Sequence, residues 1–170
     1  MKLEGLSILG AGRAQAAGQP TPALNPATGA ALGPDYFWAT AADVDAAMQL
    51  AAKAIAEYSH WPAKRRAGLL RRIAELIEAN AATIQERANL ETALPLARLQ
   101  GETARTCGKL RLFATLIEEG WWQDARIDRA DPNRKPIPKP DVRSMLAPLG
   151  SVVVFSSSNF PLAFSVAGGD

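Results

Sequence analysis

The chain has 170 residues, 48% of them hydrophobic and 21% charged, an ordinary composition for a globular protein with enough apolar material for a core. Nineteen basic side chains against 17 acidic ones leave a net charge of +2, so charge balance supports neither a nucleic-acid-binding nor an acidic-ligand reading. A single cysteine excludes an intrachain disulfide and suits a reducing compartment, expected here to be the cytoplasm, and Met1-Lys2-Leu3-Glu4-Gly5 lacks the sustained apolar stretch of a secretory signal.

Residues 14 to 34 carry no charge and are rich in Ala, Gly and Pro, with turn chemistry at Asn25-Pro26 and Thr28-Gly29. An extended, partly stranded segment is predicted there. Thr40, three residues before Asp43, opens a first helix with a capping-box pattern, and Val44, Ala47 or Met48, Ala51 and Ile55 share one stripe. Trp61-Pro62 separates it from a second helix, the clearest amphipathic element. Leu69, Leu70, Ile73, Leu76, Ile77 and Ile84 recur there at helical spacing, with Arg65, Arg72, Glu75 and Glu86 on the other face. Arg71 and Glu75 are four apart, a spacing that allows a weak ion pair. A third helix is predicted from Pro95 to a stop at Gly120, with the stripe Leu96, Leu99, Thr103, Cys107, Leu110, Ala114 and Ile117. Gly101 and Gly108 lower its propensity, so close packing is expected to support the helix.

Residues 123 to 147 change character. Asp, Arg and Lys cluster with prolines 132, 136, 138 and 140, and Pro148 lies just beyond. These argue against an interior strand or helix and predict an exposed extended arm. From Ser144 to Gly169 no residue is charged. Pro148, Gly150, the three serines 156 to 158, Asn159 and Pro161 interrupt that stretch, and a membrane span would have to satisfy the broken backbone inside lipid. A buried strand over Val152-Val153-Val154-Phe155, a serine-rich turn and a helix start at Phe160-Pro161 explain the missing charge at lower cost. Such turns are where open parallel α/β sheets bind ligands.

Pattern alone makes Asn159 a cap for that helix, yet a fixed side-chain amide is also a donor able to stabilise an oxyanion. Ser156, Ser157 and Ser158 read either as a small-residue turn or as a ligand-lining loop. A serine nucleophile has no support, because no Gly-x-Ser-x-Gly elbow is present. Cys107 lies on an apolar stripe and reads as a small buried hydrophobe. His60 is the only histidine, so no metal constellation is suggested. Gly10-Ala11-Gly12 begins like a dinucleotide fingerprint, but Gln15 stands at the third glycine position, which favours a turn. Lys64-Arg65-Arg66 and Arg71-Arg72 are balanced by Glu75 and Glu78 and read as a solvated helix face.

The order of these elements resembles the aldehyde dehydrogenase superfamily. Asn25-Pro26-Ala27-Thr28-Gly29 is similar to its early Asn-Pro-x-Thr-Gly turn. Trp61, Arg65 or Arg66, Leu69 and Ile73 fall in a helix that resembles the one following a Trp in that family. Glu91-Thr92 with Pro95 resembles its Glu-Thr-Gly-x-Pro element, with Ala93 in place of Gly. Pro148-Leu149-Gly150 resembles the Pro-x-Gly before its strand. The run from Ser158 through Asn159-Phe160-Pro161-Leu162-Ala163-Phe164-Ser165-Val166-Ala167-Gly168-Gly169 to Asp170 is closest to the branch acting on α-ketoglutarate semialdehyde (2,5-dioxopentanoate). Ser157-Ser158 departs from the family's frequent Pro-Trp, and Ser156 stands where this branch usually has Gly. The resemblance covers nearly all of the chain after about residue 20.

The resemblance implies an α/β fold: the N-terminal part of a Rossmann-type NAD(P)-binding domain, mostly helical here, with an extended β arm. Residues 1 to 122 would be the helical part, 123 to 147 an arm bridging to a neighbouring subunit, and 148 to 170 the first strand and helix start of the sheet. It implies NAD or NADP as cofactor, a small aldehyde as substrate, no nucleic acid or membrane partner, and a homo-oligomer. It makes Asn159 the oxyanion donor and Phe155, Ser156, Ser157 and Ser158 cofactor-binding residues. The family's nucleophilic cysteine, general base and cofactor-binding lysine fall beyond Asp170, so the 170 residues alone are expected to be inactive. The alternatives are a truncated non-catalytic remnant and a helical interaction module built on the second and third helices.

Overall fold

The computed structural model describes residues 3–166. Two antiparallel hairpins open the chain: β1 (Ile8–Leu9) pairs with β2 (Gly12–Arg13), and β3 (Thr21–Leu24) with β4 (Ala31–Tyr36). Asn25-Pro26-Ala27-Thr28-Gly29 makes the second turn. Asn25 Oδ1 accepts from Ala27 N at 2.9 Å, and Gly29 takes φ +74°. β4 is tied to the helical body by Arg87, which donates to the Gly33 carbonyl at 2.5 Å, to Tyr36 Oη at 3.3 Å and to Glu91 Oε1 at 2.5 Å. Gly5 sits against β4 at φ +68°, where an added Cβ would lie 1.8 Å from the Asp35 carbonyl oxygen; only glycine fits.

Four helices follow. α1 (Ala41–Tyr58) starts at the expected capping box: Thr40 Oγ1 accepts from Asp43 N, and the Asp43 carboxylate accepts from Thr40 N. The Thr40 backbone N–H and, next, the Thr40 hydroxyl, both donating to it, hold the Asp43 carboxyl below the usual carboxylate range. α1 itself buries no residue. α2 (Ala63–Ala79) and α3 (Ala81–Thr92) divide what the apolar periodicity predicted as one helix. The break falls at Asn80, whose backbone leaves the helical region and whose amide donates to the Leu76 carbonyl at 2.8 Å. α4 (Leu96–Glu119) follows Pro95 and stops at Gly120, which adopts φ +75°.

The core lies between α2 and α4. Ala74, Cys107 and Leu110 form its centre, and Leu70, Ile73 and Ile77 pack against them. Leu99, Thr103 and Ala114 continue the buried stripe of α4. The same two helices are cross-linked by charge. Arg71 grips Glu118 through bonds of 2.8 and 2.6 Å, and Arg111 grips Glu78 through bonds of 2.6 and 2.7 Å. The predicted Arg71–Glu75 pair therefore gives way to a bidentate partner on α4, and Glu75 takes Arg72 at 3.0 Å instead. The close packing expected to support α4 comes from its buried stripe against α2 and not from its glycines: a Cβ at Gly101 or Gly108 would meet nothing within 4 Å. Both glycines face outward from α4.

After a short 3-10 turn at Trp121–Gln123, β5 (Arg126–Asp128) pairs antiparallel with β6 (Val142–Ser144), in the register Arg126↔Ser144, Ile127↔Arg143 and Asp128↔Val142. Every residue of this ladder is exposed, and prolines 132, 136, 138 and 140 lie in the connection. The strand expected at Val152 to Phe155 is not formed: these residues join no ladder and are exposed. A strand needs a neighbour to pair with, and none stands beside this run among the described residues. The expected helix start is a series of overlapping turns from Ser157 to Val166, including one helical step in which Phe164 N donates to the Phe160 carbonyl at 3.2 Å. Ala167-Gly168-Gly169-Asp170 lies outside the described residues. Among the described residues, no helix is long and apolar enough to cross a membrane.

Candidate functional site

The loop from Phe155 to Phe164 rests on one face of α4, through residues at positions 98, 102 and 106. Arg98 Nη2 donates to the Asn159 carbonyl, and its guanidinium lies 4.7 Å above the Phe160 ring. Glu102 is only 4% exposed and uses both carboxylate oxygens: Oε1 accepts from Arg98 Nε at 3.1 Å, and Oε2 accepts from the Leu162 backbone N–H at 3.0 Å. Thr106, also buried, donates its hydroxyl to the Leu162 carbonyl at 2.7 Å. The Phe160 and Phe164 rings stack with centroids 4.6 Å apart, which stiffens the turn. A buried carboxylate is costly unless paired and hydrogen-bonded, and this one is both.

Asn159 is exposed at the top of this clamp. Its Oδ1 accepts from the Ser157 hydroxyl. The helix-capping role that pattern suggests is not the arrangement found, since Oδ1 is taken by a side chain and not by a following backbone N–H. With Oδ1 engaged, the NH2 group is the end of the amide left to donate outward. The structure thus brings together two of the sequence-predicted residues, Ser157 and Asn159.

Phe155, Ser156 and Ser158 flank them without touching the clamp. Phe155 is 92% exposed, and the two serines are exposed as well. These side chains offer a nicotinamide ring one aromatic face and two hydroxyls. Phe155 and Ser156 to Ser158 are the residues that could line a cofactor. No phosphate cradle accompanies them among the described residues. Gly10-Ala11 is the turn of the β1–β2 hairpin and lies between two strands, not between a strand and a helix.

The other candidates are occupied elsewhere. Cys107 is 1% exposed, its Sγ donating to the Ala74 carbonyl at 3.7 Å, and burial together with nearby Glu78 pushes its thiol above the usual cysteine range. It is an inert core thiol. His60 places Nδ1 2.8 Å from the Ala56 carbonyl and so donates to the last turn of α1. Arg65 stacks on Trp61 at 3.6 Å, while Arg71 and Arg72 are ion-paired with Glu118 and Glu75. No cluster of three or more His, Cys, Asp or Glu side chains able to hold a metal exists among the described residues.

Sequence reasoning missed Arg98, Glu102 and Thr106. Their signal was the four-residue spacing of polar side chains along one side of α4, with Glu102 directly beside the buried Thr103.

Comparison with known proteins places this geometry in context. Residues 13–168 match the aldehyde dehydrogenase family. The chain is 45% identical to α-ketoglutaric semialdehyde dehydrogenase 2 of Azospirillum brasilense over 171 aligned positions, which cover all of this chain and 33% of that protein. It is 50% identical to the α-ketoglutaric semialdehyde dehydrogenase of Acinetobacter baylyi over 135 positions, 79% of this chain and 26% of that one. Among solved structures, 3,6-anhydro-L-galactose dehydrogenase in complex with NAP superposes with a TM-score of 0.77 at 26% identity, covering 94% of this chain and 31% of that one. The chain thus spans about a third or less of the length of these relatives. Its fold is the N-terminal, mostly helical portion of their α/β architecture, with the β5–β6 arm attached. The chain belongs to the aldehyde dehydrogenase family.

Proposed function

We propose that these residues form the oxyanion-stabilising corner of an NAD(P)-dependent aldehyde dehydrogenase that oxidises α-ketoglutarate semialdehyde to the carboxylic acid. The overall change is aldehyde plus water plus oxidised nicotinamide cofactor to carboxylate, reduced cofactor and two protons. The cofactor accepts the hydride. The observation that carries the reading is the exposed Asn159 amide, whose oxygen is engaged by the Ser157 hydroxyl and whose NH2 group is thereby left to donate. A donor fixed before the reaction begins stabilises the developing oxyanion without reorganising at the moment of attack. Phe155, Ser156, Ser157 and Ser158 would line the nicotinamide. The substrate assignment leans on the names of the two relatives at 45% and 50% identity.

Asp is as good a helix cap as Asn but brings negative charge in place of a donor. Asn159→Asp therefore separates the two readings. In the complete enzyme, assayed by cofactor reduction with α-ketoglutarate semialdehyde, Asn159→Ala and Asn159→Asp are each expected to lose roughly 100- to 1,000-fold in kcat. Full activity of Asn159→Asp would sink the oxyanion reading. No turnover of this aldehyde with either NAD or NADP would refute the substrate assignment.

The reading carries an assembly and a compartment. The exposed β5–β6 ladder offers two open edges to a second copy of the chain, which supports a homo-oligomer; the single cysteine, suited to a reducing compartment, supports the cytoplasm. Light scattering that finds a monomer at working concentration would remove the first. Recovery of the native enzyme from a membrane or secreted fraction would remove the second.

A further inference from the structure

If Asn159 is counted as the cap of the turn that follows it, the third residue of that turn is Leu162, whose N–H an N-cap side chain ordinarily takes; the second, Pro161, has no N–H to offer. In the structure Leu162 N–H goes to Glu102 on α4, at 3.0 Å. Asn159 Oδ1 is instead held by Ser157. The cap acceptor has been moved from the loop to a different helix, 60 positions earlier in the chain.

We propose that Glu102 is a positioning residue that caps this turn in place of Asn159, and so keeps the Asn159 amide free for the reaction. The burial of Glu102 fits this. A carboxylate 4% exposed carries a desolvation cost that a peripheral ion pair with half-exposed Arg98 does not require, and its second oxygen is spent on one backbone N–H. Arg98 fixes the carboxylate from one side and holds the Asn159 carbonyl from the other, while Thr106 takes the Leu162 carbonyl. Backbone at and after Asn159 is thus pinned to α4, and its side chain is left out of the pinning. Without Glu102, Leu162 N–H needs another acceptor; Asn159 Oδ1 is the one an N-cap would supply, and taking it from Ser157 would turn the amide inward.

The proposal's catalytic half rests on the oxyanion reading of Asn159; its structural half does not. Hydrogen exchange of the Leu162 amide in the 170-residue chain tests the structural half. Protection is expected to persist in Glu102→Ala, because Asn159 takes over as cap, and to be lost in Glu102→Ala/Asn159→Ala. Loss in Glu102→Ala alone would overturn the exchange of roles. In the complete enzyme, Glu102→Ala is expected to lower kcat roughly 10- to 100-fold with KM little changed. Glu102→Gln, which keeps an acceptor for Leu162, should restore most of that loss. The further effect of Glu102→Ala in an Asn159→Ala background should vanish. An equal loss in that background would overturn the proposal while leaving Asn159 catalytic. Undiminished kcat in Asn159→Ala would overturn the oxyanion reading, and the catalytic half with it. Should Glu102→Ala fail to fold, Glu102→Asp keeps the charge for Arg98 but retreats from Leu162, and the same loss and the same cycle are expected of it.

Discussion

Arg111 on α4 and Glu78 on α2 face each other through two near-parallel hydrogen bonds, 2.6 and 2.7 Å long, at a seam whose apolar side is Ala74, Cys107 and Leu110. Arg71 and Glu118 repeat the arrangement further along. Each arginine holds its glutamate below the ordinary carboxylate range. A carboxylate whose folded value is depressed adds stability above its unfolded value and loses it as the pH falls through the folded one. Thermal unfolding followed from neutral pH downward should therefore show the midpoint falling once the pH drops below about 4.3. The double substitution Glu78→Gln/Glu118→Gln should flatten that fall. An unchanged slope would mean that the pairs do not couple to folding.

Gly101 and Gly108 sit inside α4 with open space where a Cβ would go. Nothing in the packing demands glycine. Gly101→Ala and Gly108→Ala should each stabilise the helix by about 0.8 kcal/mol, read as a rise in the denaturant midpoint. A lower midpoint for either would show a contact made in the assembled enzyme and not within this chain.

Ala93 ends α3 in the left-handed region, at φ +55°. It stands where the family's Glu-Thr-Gly-x-Pro element has glycine, and the backbone there still has the glycine conformation. A left-handed alanine costs about 1 kcal/mol or more, partly offset by the greater freedom of glycine in the unfolded chain. Ala93→Gly should raise stability by about 0.5 kcal/mol, while Gly120→Ala at the end of α4 should lower it. Equal midpoints for Ala93→Gly and the parent would contradict the strain.

Cys107 should resist thiol reagents in the folded chain and react only as fast as the protein opens. Cys107→Ala should leave aldehyde oxidation by the complete enzyme unchanged and cost about 1 kcal/mol of stability from the small void. Rapid labelling at neutral pH in the absence of denaturant would show the thiol to be accessible.

The elements readable from sequence were those written in local code. Thr40 with Asp43, Pro95 and Gly120 act within one turn of themselves, and the structure has each of them in its expected place. The division of α2 from α3 was hidden, because apolar residues keep helical spacing across Asn80 and only the side-chain bond to Leu76 marks the break. Arg71 misled because its true partner lies 47 positions away. The same distance problem hid Glu102: Leu162 supplies its reason to be buried, and no periodicity links the two. Asn159 and Ser157 were legible as types but not as a pair. The direction of an amide depends on which neighbour claims its oxygen.

The placement of the core has a consequence for the order of events during synthesis. Ala74, Cys107, Leu110 and the side chains packed on them all lie between residues 70 and 110, so the contacts that stabilise the helical body are complete before the loop that carries Asn159 has been made. Contacts this close in sequence form early and quickly. Helix α4 can then act as a template, its Arg98, Glu102 and Thr106 already aligned when Leu162 arrives. The exposed run from Val152 to Phe155 has no such template within these residues, and would be the stretch for which a chaperone competes until a neighbouring strand is present.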